Sequence, residues 1–183
     1  FLMIIKPKRP KFHFDFGFII LCHNDNIDSL KSTANSIKNN YDGLPFVGIT
    51  TSKIDKDEMS LMKEVCKVYK GGETYTSLMN KGMRHGYKTW NMFVTAGSFV
   101  RPCVDKKIHS FLEDDKDVIF PIIDKKTDFI DCTLNGLMIH KKTFNKVGKF
   151  EEDENLQMCK LLWGCKAIEY GCKFKAILGY QLF

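Results

Sequence analysis

Residues 80–100, NKGMRHGYKTWNMFVTAGSFV, are the most informative segment of this sequence. It joins a predicted helix to the apolar run Trp90–Val94 and then to the small-residue turn Thr95-Ala96-Gly97-Ser98. A short apolar run bounded by turn residues is typical of a strand that is buried on both faces. Because ligands of open α/β sheets bind beyond the carboxyl ends of the strands, this turn is a candidate binding site.

The same alternation of strand and helix patterns extends over most of the chain. Strands that alternate with helices of about ten residues indicate parallel pairing through right-handed crossovers. The sequence therefore predicts a Rossmann-like α/β fold, with a mostly parallel central sheet flanked by helices. The predicted strands are Phe16–Leu21, Phe46–Ile49, Val68-Tyr69, Trp90–Val94, Val118–Phe120 ended by Pro121, Asn135–His140 and Phe174–Leu178. The predicted helices begin near Asp25–Asp28, at Asp57-Glu58, Thr74, Pro102 and Thr143, and in the acidic cluster Glu151–Glu154.

The length of the chain predicts one folded domain. Its 183 residues are enough to bury a sizeable core but too few for two ordinary domains. We assign residues 16–183 to a single α/β domain and residues 1–15 to an extended basic arm, which contains Lys6-Pro7-Lys8-Arg9-Pro10-Lys11. Because the sequence does not begin with methionine, we expect a fragment or a processed chain. We also expect that an additional domain or a protein partner contacts the arm.

Composition excludes some classes of function. The 28 basic and 22 acidic residues give a net charge of +6, which mildly favours anionic partners such as nucleotides. Nucleic-acid binding is not expected, because no dense basic stripe with interleaved aromatics is evident in the sequence. No apolar run approaches the length of a membrane helix. The spacings of the seven cysteines match no common zinc pattern. We expect these cysteines to be reduced, which indicates a cytoplasmic or other intracellular protein, for example one associated with a virion.

The segment 80–100 and the order of elements from Phe16 to Leu178 resemble family 2 glycosyltransferases of the GT-A fold. In that family an Asn-x-Gly lies on the helix before the metal strand, and Asn80 and Gly82 match it. The stretch from Leu137 to Phe150 is similar to the family's acceptor-side strand and its Val-Gly-Gly-Phe turn. The resemblance implies a nucleotide-diphospho-sugar transferase fold with a nucleotide sugar as ligand.

The resemblance also implies a set of site residues. Positions after the first and second strands would hold the nucleotide base, and a carboxylate after the acceptor-side turn would act as catalytic base. Asp153, with Glu152 beside it, occupies that place. The candidate nucleotide-sugar-binding residues are Cys22, His23, Asn24, Thr50, Thr51, Asn80, Thr95, Ala96, Gly97 and Ser98. An acidic residue at a helix start also has a purely structural interpretation, because it stabilises the exposed N–H groups there.

The family's Asp-x-Asp motif, which holds a divalent metal, is replaced by Thr95-Ala96-Gly97 in this chain. Hard cations prefer carboxylate oxygens, so we predict no cofactor and at most a weakly held manganese or magnesium ion. Charge on a diphosphate would then be neutralised by other groups. Candidates are His140, Lys141, Lys142, Arg84, and an anion-binding nest of backbone N–H groups around Gly97 and Ser98.

Two functions remain open from the sequence. One is a glycosyltransferase (hexosyltransferase-like) that inverts its donor sugar without a metal and transfers it to an unknown acceptor. The other is a degenerate GT-A domain that serves as a binding or structural module of a larger assembly, for instance a viral one. A nucleotide-binding domain of another α/β class is disfavoured, because neither a GxGxxG motif nor a Walker loop follows any predicted strand.

Overall fold

The computed structural model describes residues 16–24, 26–41, 44–101, 117–122 and 134–178. Within these ranges it contains seven strands and five helices. The strands are β1 (Phe16–Cys22), β2 (Phe46–Thr50), β3 (Lys67–Lys70), β4 (Trp90–Thr95), β5 (Val118–Ile122), β6 (Met138–His140) and β7 (Phe174–Leu178). The helices are α1 (Ile27–Asn40), α2 (Lys56–Val65), α3 (Tyr75–His85), α4 (Lys141–Val147) and α5 (Leu156–Glu169).

All seven strands form one sheet in the order β3-β2-β1-β4-β6-β5-β7. β1 pairs in parallel with β2 and β4, β2 with β3, and β5 with β7. The short strand β6 runs antiparallel to both of its neighbours, β4 and β5. The predicted α/β class and the mostly parallel sheet are therefore confirmed.

The sheet is covered on both faces, which explains why β1 contains no polar or charged side chain and why most of β4 is apolar. Phe18 and Ile20 of β1 belong to one core, in which α1 and α2 pack on the sheet. Ile19 and Leu21 point to the other face, where α3, α4 and α5 supply the second core. Every residue of β1 is buried, as expected for a strand between two helical layers.

Polar caps fix where the first three helices begin. The side chains of Asn26, Asp55 and Thr74 each accept a hydrogen bond from a backbone N–H three residues later. These caps place α1 and α3 within the predicted segments, and α2 begins one residue before Asp57. The connections before α1 and α3 lie at the carboxyl ends of β1 and β3, at the edge of the sheet where the candidate residues were expected.

Two predictions of element boundaries are wrong. Pro121 does not end β5, because the strand continues to Ile122 and pairs through Pro121 with β7. A proline is tolerated there since β6 pairs only with Val118 and Ile119. β6 itself is shorter than predicted and starts at Met138.

The acidic cluster Glu151–Glu154 does not start a helix. α5 begins at Leu156 with Asn155 as its N-cap, and its first turn contains no acidic residue. Cys159, Trp163 and Ala167 of α5 are buried, whereas Leu162 and the C-cap residue Tyr170 are exposed.

The predicted basic arm 1–15 and the predicted helix beginning at Pro102 lie outside the described residues. In the described parts of the chain, no helix is long and apolar enough to cross a membrane. The five cysteines within these parts form no disulfide bond.

Candidate functional site

Two adjoining cavities lie beyond the carboxyl ends of β1 and β2, and they share Asn24 and Lys53 as lining residues. Their volumes are about 270 and 460 Å³, and the larger one is within the range of small-molecule sites. The smaller cavity is lined by Asn24, Asn26, Thr50, Thr51, Lys53, Ile54 and Glu58. The larger is lined by His23, Asn24, Lys53, Glu73, Thr74, Tyr75 and Glu154.

Four of the predicted base-binding residues, His23, Asn24, Thr50 and Thr51, therefore converge on these paired cavities. Asn24 has a φ of 61°, in the left-handed region that asparagine tolerates better than most residues. This turn directs the chain out of β1 and brings Asn24 to both cavities. Cys22, by contrast, is fully buried in the core at the end of β1.

His23 is held in a defined orientation at the larger cavity. Its Nε2 donates to the main-chain oxygen of Glu73 at 2.8 Å, and its ring stacks on Tyr75 with 4.4 Å between centroids. With Nε2 as donor, Nδ1 of the neutral ring is an acceptor. The ring pair forms an aromatic wall beside the start of α3.

Lys53 and Glu73 supply the charges at the shared boundary of the cavities. Lys53 Nζ lies 3.3 Å from Glu73 Oε2, and the Lys53 side chain is 80% exposed. A hydrogen bond from the Ser52 hydroxyl, followed by the contact with Lys53, lowers the pKa of the Glu73 carboxyl. The Glu73 carboxyl is therefore ionised at neutral pH, and Lys53 lies beside it where the two cavities meet.

Lys53, Glu73, Tyr75 and Glu154 were missed by sequence reasoning. The first three follow β2 and β3 at the carboxyl edge of the sheet, so a search of the residues after each predicted strand would have found them. The contribution of Glu154 to the larger cavity could be recognised only from the three-dimensional structure, because 130 residues separate it from Asn24.

The acidic segment lies against the start of α3. Asn80 Nδ2 donates to Glu152 Oε1 at 3.1 Å, so the structure brings these two predicted site residues together. Asp153 is exposed, its Oδ1 accepts from Asn155 N at 2.7 Å, and its main-chain oxygen accepts from Thr76 Oγ1 at 3.4 Å. The segment thus presents Glu154, rather than Asp153, as a lining residue of the larger cavity.

The turn Thr95–Ser98 is closed by hydrogen bonds within the protein. Asn135 Oδ1 accepts from both the backbone N and Oγ1 of Thr95, and Asn135 Nδ2 donates to Ser98 Oγ at 3.0 Å. The N–H groups of residues 96, 97 and 98 donate to the carbonyls of Leu21, Ser29 and Thr95. An anion-binding nest at Gly97 and Ser98 was therefore a wrong expectation, because these donors already have partners.

The basic residues of the α4 region lie at the other end of β4. Trp90 pairs with His140 in the sheet, five residues before Thr95, which corresponds to about 16 Å along a strand. Lys141 Nζ donates to Gly86 O at 3.1 Å, and His140 Nδ1 accepts from Lys142 N. None of these three residues neutralises charge at the Thr95 turn, contrary to our expectation.

The donor set at the carboxyl edge consists of hydroxyls, amides and dispersed carboxylates. In the described ranges, no group of three or more His, Cys, Asp or Glu side chains is arranged to hold a metal ion. The chemistry available at the paired cavities is hydrogen bonding from Asn24, stacking against the His23–Tyr75 wall and one cation, Lys53.

Comparison with known proteins identifies the fold but no family. No protein-family model and no curated protein sequence matches the chain. Among solved structures, S. aureus TarS superposes with a TM-score of 0.63 at 11% identity, covering 90% of this chain and 35% of that one. TarS 1–349 in complex with UDP gives a TM-score of 0.61 at 12% identity, covering 89% of this chain and 57% of that one.

A cytidylyltransferase from Leptospira borgpetersenii also shares the fold, with a TM-score of 0.61 at 12% identity over 91% of this chain and 76% of the other. The chain thus spans about a third to three fifths of the length of the TarS structures. With the sheet order and the flanking helices, these similarities show that the chain shares the α/β fold of TarS and of the cytidylyltransferase, a mostly parallel seven-stranded sheet between helical layers.

Proposed function

We propose that the chain binds a nucleoside diphosphate sugar in the paired cavities and transfers the sugar, with inversion and without a metal, to an acceptor hydroxyl. The observation that carries this proposal is the convergence of His23, Asn24, Thr50 and Thr51 on one pair of cavities at the carboxyl edge of the sheet. The similarity to TarS in complex with UDP supports the ligand class at the level of fold.

Each part of the ligand has a matching group in this proposal. The amide of Asn24 supplies one donor and one acceptor for a base edge, and the His23–Tyr75 wall offers a flat apolar surface. Lys53 supplies positive charge for the diphosphate, because its exposed ammonium lies where the two cavities join. Thr50 and Thr51 are almost fully buried and shape the floor of the smaller cavity.

Glycosyl transfer also requires a base for the acceptor hydroxyl. In the proposed step the acceptor oxygen loses its proton to the Asp153 carboxylate and bonds to the anomeric carbon. The bond from that carbon to the diphosphate oxygen breaks, and the nucleoside diphosphate leaves with the electron pair. Asp153 is supported in this role by its exposure and its position next to Glu154, while Glu152 is engaged with Asn80.

Calorimetry and ¹H–¹⁵N NMR with UDP-, CDP- and GDP-sugars test the binding step. We expect shifts centred on Asn24 and Thr51, and weaker binding of Lys53→Ala by about fivefold or more, because a charge-assisted contact to phosphate is lost. Lys63→Ala, which removes an exposed lysine of α2 far along the helix from the cavity, is the matched control. Absence of binding at millimolar ligand, with and without manganese, would refute the proposal.

Asp153→Asn separates catalysis from binding. It should abolish transfer or donor hydrolysis while leaving donor affinity unchanged, whereas the neighbouring Glu151→Gln should retain both. Equal turnover by the Asp153→Asn variant would exclude this residue as the base.

The degenerate binding module remains the second candidate, and the closed Thr95–Ser98 turn favours it. At that turn, internal hydrogen bonds occupy the donors that would otherwise be available to a diphosphate. Two results would support this alternative. One is nucleotide binding without any turnover. The other is a stable complex with a partner protein in size-exclusion chromatography, which is lost when the basic arm 1–15 is removed.

A further inference from the structure

A third cavity, of about 170 Å³, lies between the end of β3 and one face of α3. It shares no lining residue with the paired cavities described above. Three cations line it, Lys70, Lys81 and Arg84. The remaining lining residues are Gly71, Gly72, Ser77, Asn80 and Glu152.

The helix contributes to this pocket through a regular set of positions. Residues 77, 80, 81 and 84 are spaced by three, four and seven positions, so they lie on one face of α3. The opposite wall is the Gly71-Gly72 turn, which approaches the helix closely. A Cβ atom at Gly71 would lie 2.7 Å from Leu78 Cδ2, and one at Gly72 would lie 2.6 Å from Ser77 Oγ. Glycine at both positions therefore allows the turn to form this wall.

The cations of the pocket are positioned rather than paired. Lys70 Nζ donates to the main-chain oxygens of Ile54 at 2.9 Å and Ser52 at 3.5 Å, which fixes its ammonium without neutralising it. Among the described residues, Lys81 and Arg84 form no ion pair. The one carboxylate at the pocket, Glu152, is held by Asn80 at 3.1 Å.

Positive charge extends beyond the pocket along the same side of the molecule. Burial, followed by the nearby cations Lys81, Lys67, Arg84 and Lys141, lowers the pKa of His85. Lys67 Nζ lies 5.5 Å from the ring centroids of both Tyr69 and Tyr87. Because one carboxylate faces three cations in the pocket and further cations surround it, the pocket is suited to an anion of phosphate size.

We propose that the pocket formed by Lys70, Lys81 and Arg84 binds a phosphate group of a ligand other than the nucleotide sugar. This assignment does not depend on the proposed function, because the two sites have separate lining residues. Lys and Arg are the side chains that bind phosphate most strongly, and Arg84 can do so through two parallel N–H donors. Glu152 opposes the bound charge and limits the affinity.

The test is a ¹H–¹⁵N NMR titration of the whole chain with inorganic phosphate and pyrophosphate, against sodium chloride at equal ionic strength. We expect phosphate-specific shifts at Gly71, Gly72 and along α3 near Lys81. Lys81→Ala and Arg84→Ala should each weaken binding by about fivefold or more, whereas the Lys63→Ala control should not. Lys81→Arg should restore most of the affinity, which separates loss of charge from loss of folding.

Glu152→Gln supplies a prediction of opposite sign. It keeps the acceptor for Asn80 but removes the negative charge, so phosphate should bind about threefold or more tightly. Unchanged affinity in all of these variants, or shifts spread over lysines across the surface, would overturn the assignment. Lys53→Ala distinguishes the two sites, because it should weaken nucleotide binding and leave the phosphate titration unaltered.

Discussion

The side chain of Asn80 forms hydrogen bonds with both backbone groups of Phe150, a residue 70 positions away. Its Nδ2 donates to Phe150 O at 2.8 Å, and its Oδ1 accepts from Phe150 N at 2.9 Å. Asn80 is 3% exposed, and both of these hydrogen bonds are buried. The contact fastens α3 to the segment that carries Glu152 and Asp153.

Replacing Asn80 should therefore destabilise the protein. Asn80→Ala leaves two buried backbone groups without partners, and we expect a loss of about 2 to 4 kcal/mol in the free energy of unfolding. Asn80→Asp should also destabilise, because a carboxylate cannot donate to Phe150 O. Urea denaturation gives the measurement, with the exposed Asn39→Ala as control. A loss no larger than that of the control would contradict the structural role.

Gly82 permits α3 to pack closely on β1. A Cβ atom at this position would lie 2.5 Å from Ile19 Cγ2, a separation that real side chains do not adopt. Gly82→Ala should cost about 1 to 3 kcal/mol through overpacking, despite the better helix propensity of alanine. In an Ile19→Ala background the same substitution should cost much less, and a double-mutant cycle measures that coupling.

Asn135 is expected to hold the Thr95–Ser98 turn in its closed form. Asn135→Ala removes the acceptor of Thr95 N and the donor to Ser98 Oγ, and should lower stability by about 1 to 3 kcal/mol. It should also accelerate amide exchange at Thr95, which hydrogen-exchange NMR detects. Exchange at Thr95 as slow as in the unchanged protein would show that the turn closes without this side chain.

His140 should make stability depend on pH. Burial is the main cause that lowers the pKa of His140, with Lys142 contributing and Asp117 opposing. A folded-state pKa below the unfolded one means that the unfolded chain binds the proton first. The stabilisation is thus complete above the ordinary value of 6.5 and is lost as the pH falls below it.

His140 Nδ1 also accepts a hydrogen bond from Lys142 N at the start of α4, and protonation of Nδ1 removes this acceptor. His140→Asn keeps a capping acceptor but does not titrate, so its urea midpoint should fall less between pH 7.5 and pH 5. His85, whose pKa is also lowered, is present in both proteins and cancels in the comparison. Identical pH profiles would exclude His140 as a contributor.

Local sequence signals predicted most of the fold because hydrophobic period and capping chemistry act over a few residues. The apolar run of β1 and the helix predicted to begin at Thr74 are examples, and the structure contains both, with Thr74 as the N-cap of α3. The antiparallel direction of β6 was not predictable, because three residues carry no information on their neighbours in the sheet. Nor could the exposure of Leu162 be read from helical spacing, since that depends on which elements cover α5.

The candidate site followed a similar division. Residues directly after β1 and β2 were predictable, because strand ends of a parallel sheet meet at one edge. The hydrogen-bond partner of Thr95 was not predictable, because Asn135 lies 40 residues away in a different segment. His140 is the last residue of β6 and Lys141 follows it, but the antiparallel direction of β6 places both at the opposite edge of the sheet from Thr95.

The central position of β4 governs what shortened versions of this protein can do. Its two sides are covered by β1 and by β6, and β6 lies more than 40 residues later in the chain. A truncated product that stops at residue 101 would retain the apolar sequence Trp90–Val94 with one row of backbone groups open to solvent. An exposed, hydrophobic edge strand pairs with strands of other molecules. This truncation should therefore yield insoluble aggregates rather than a smaller folded domain.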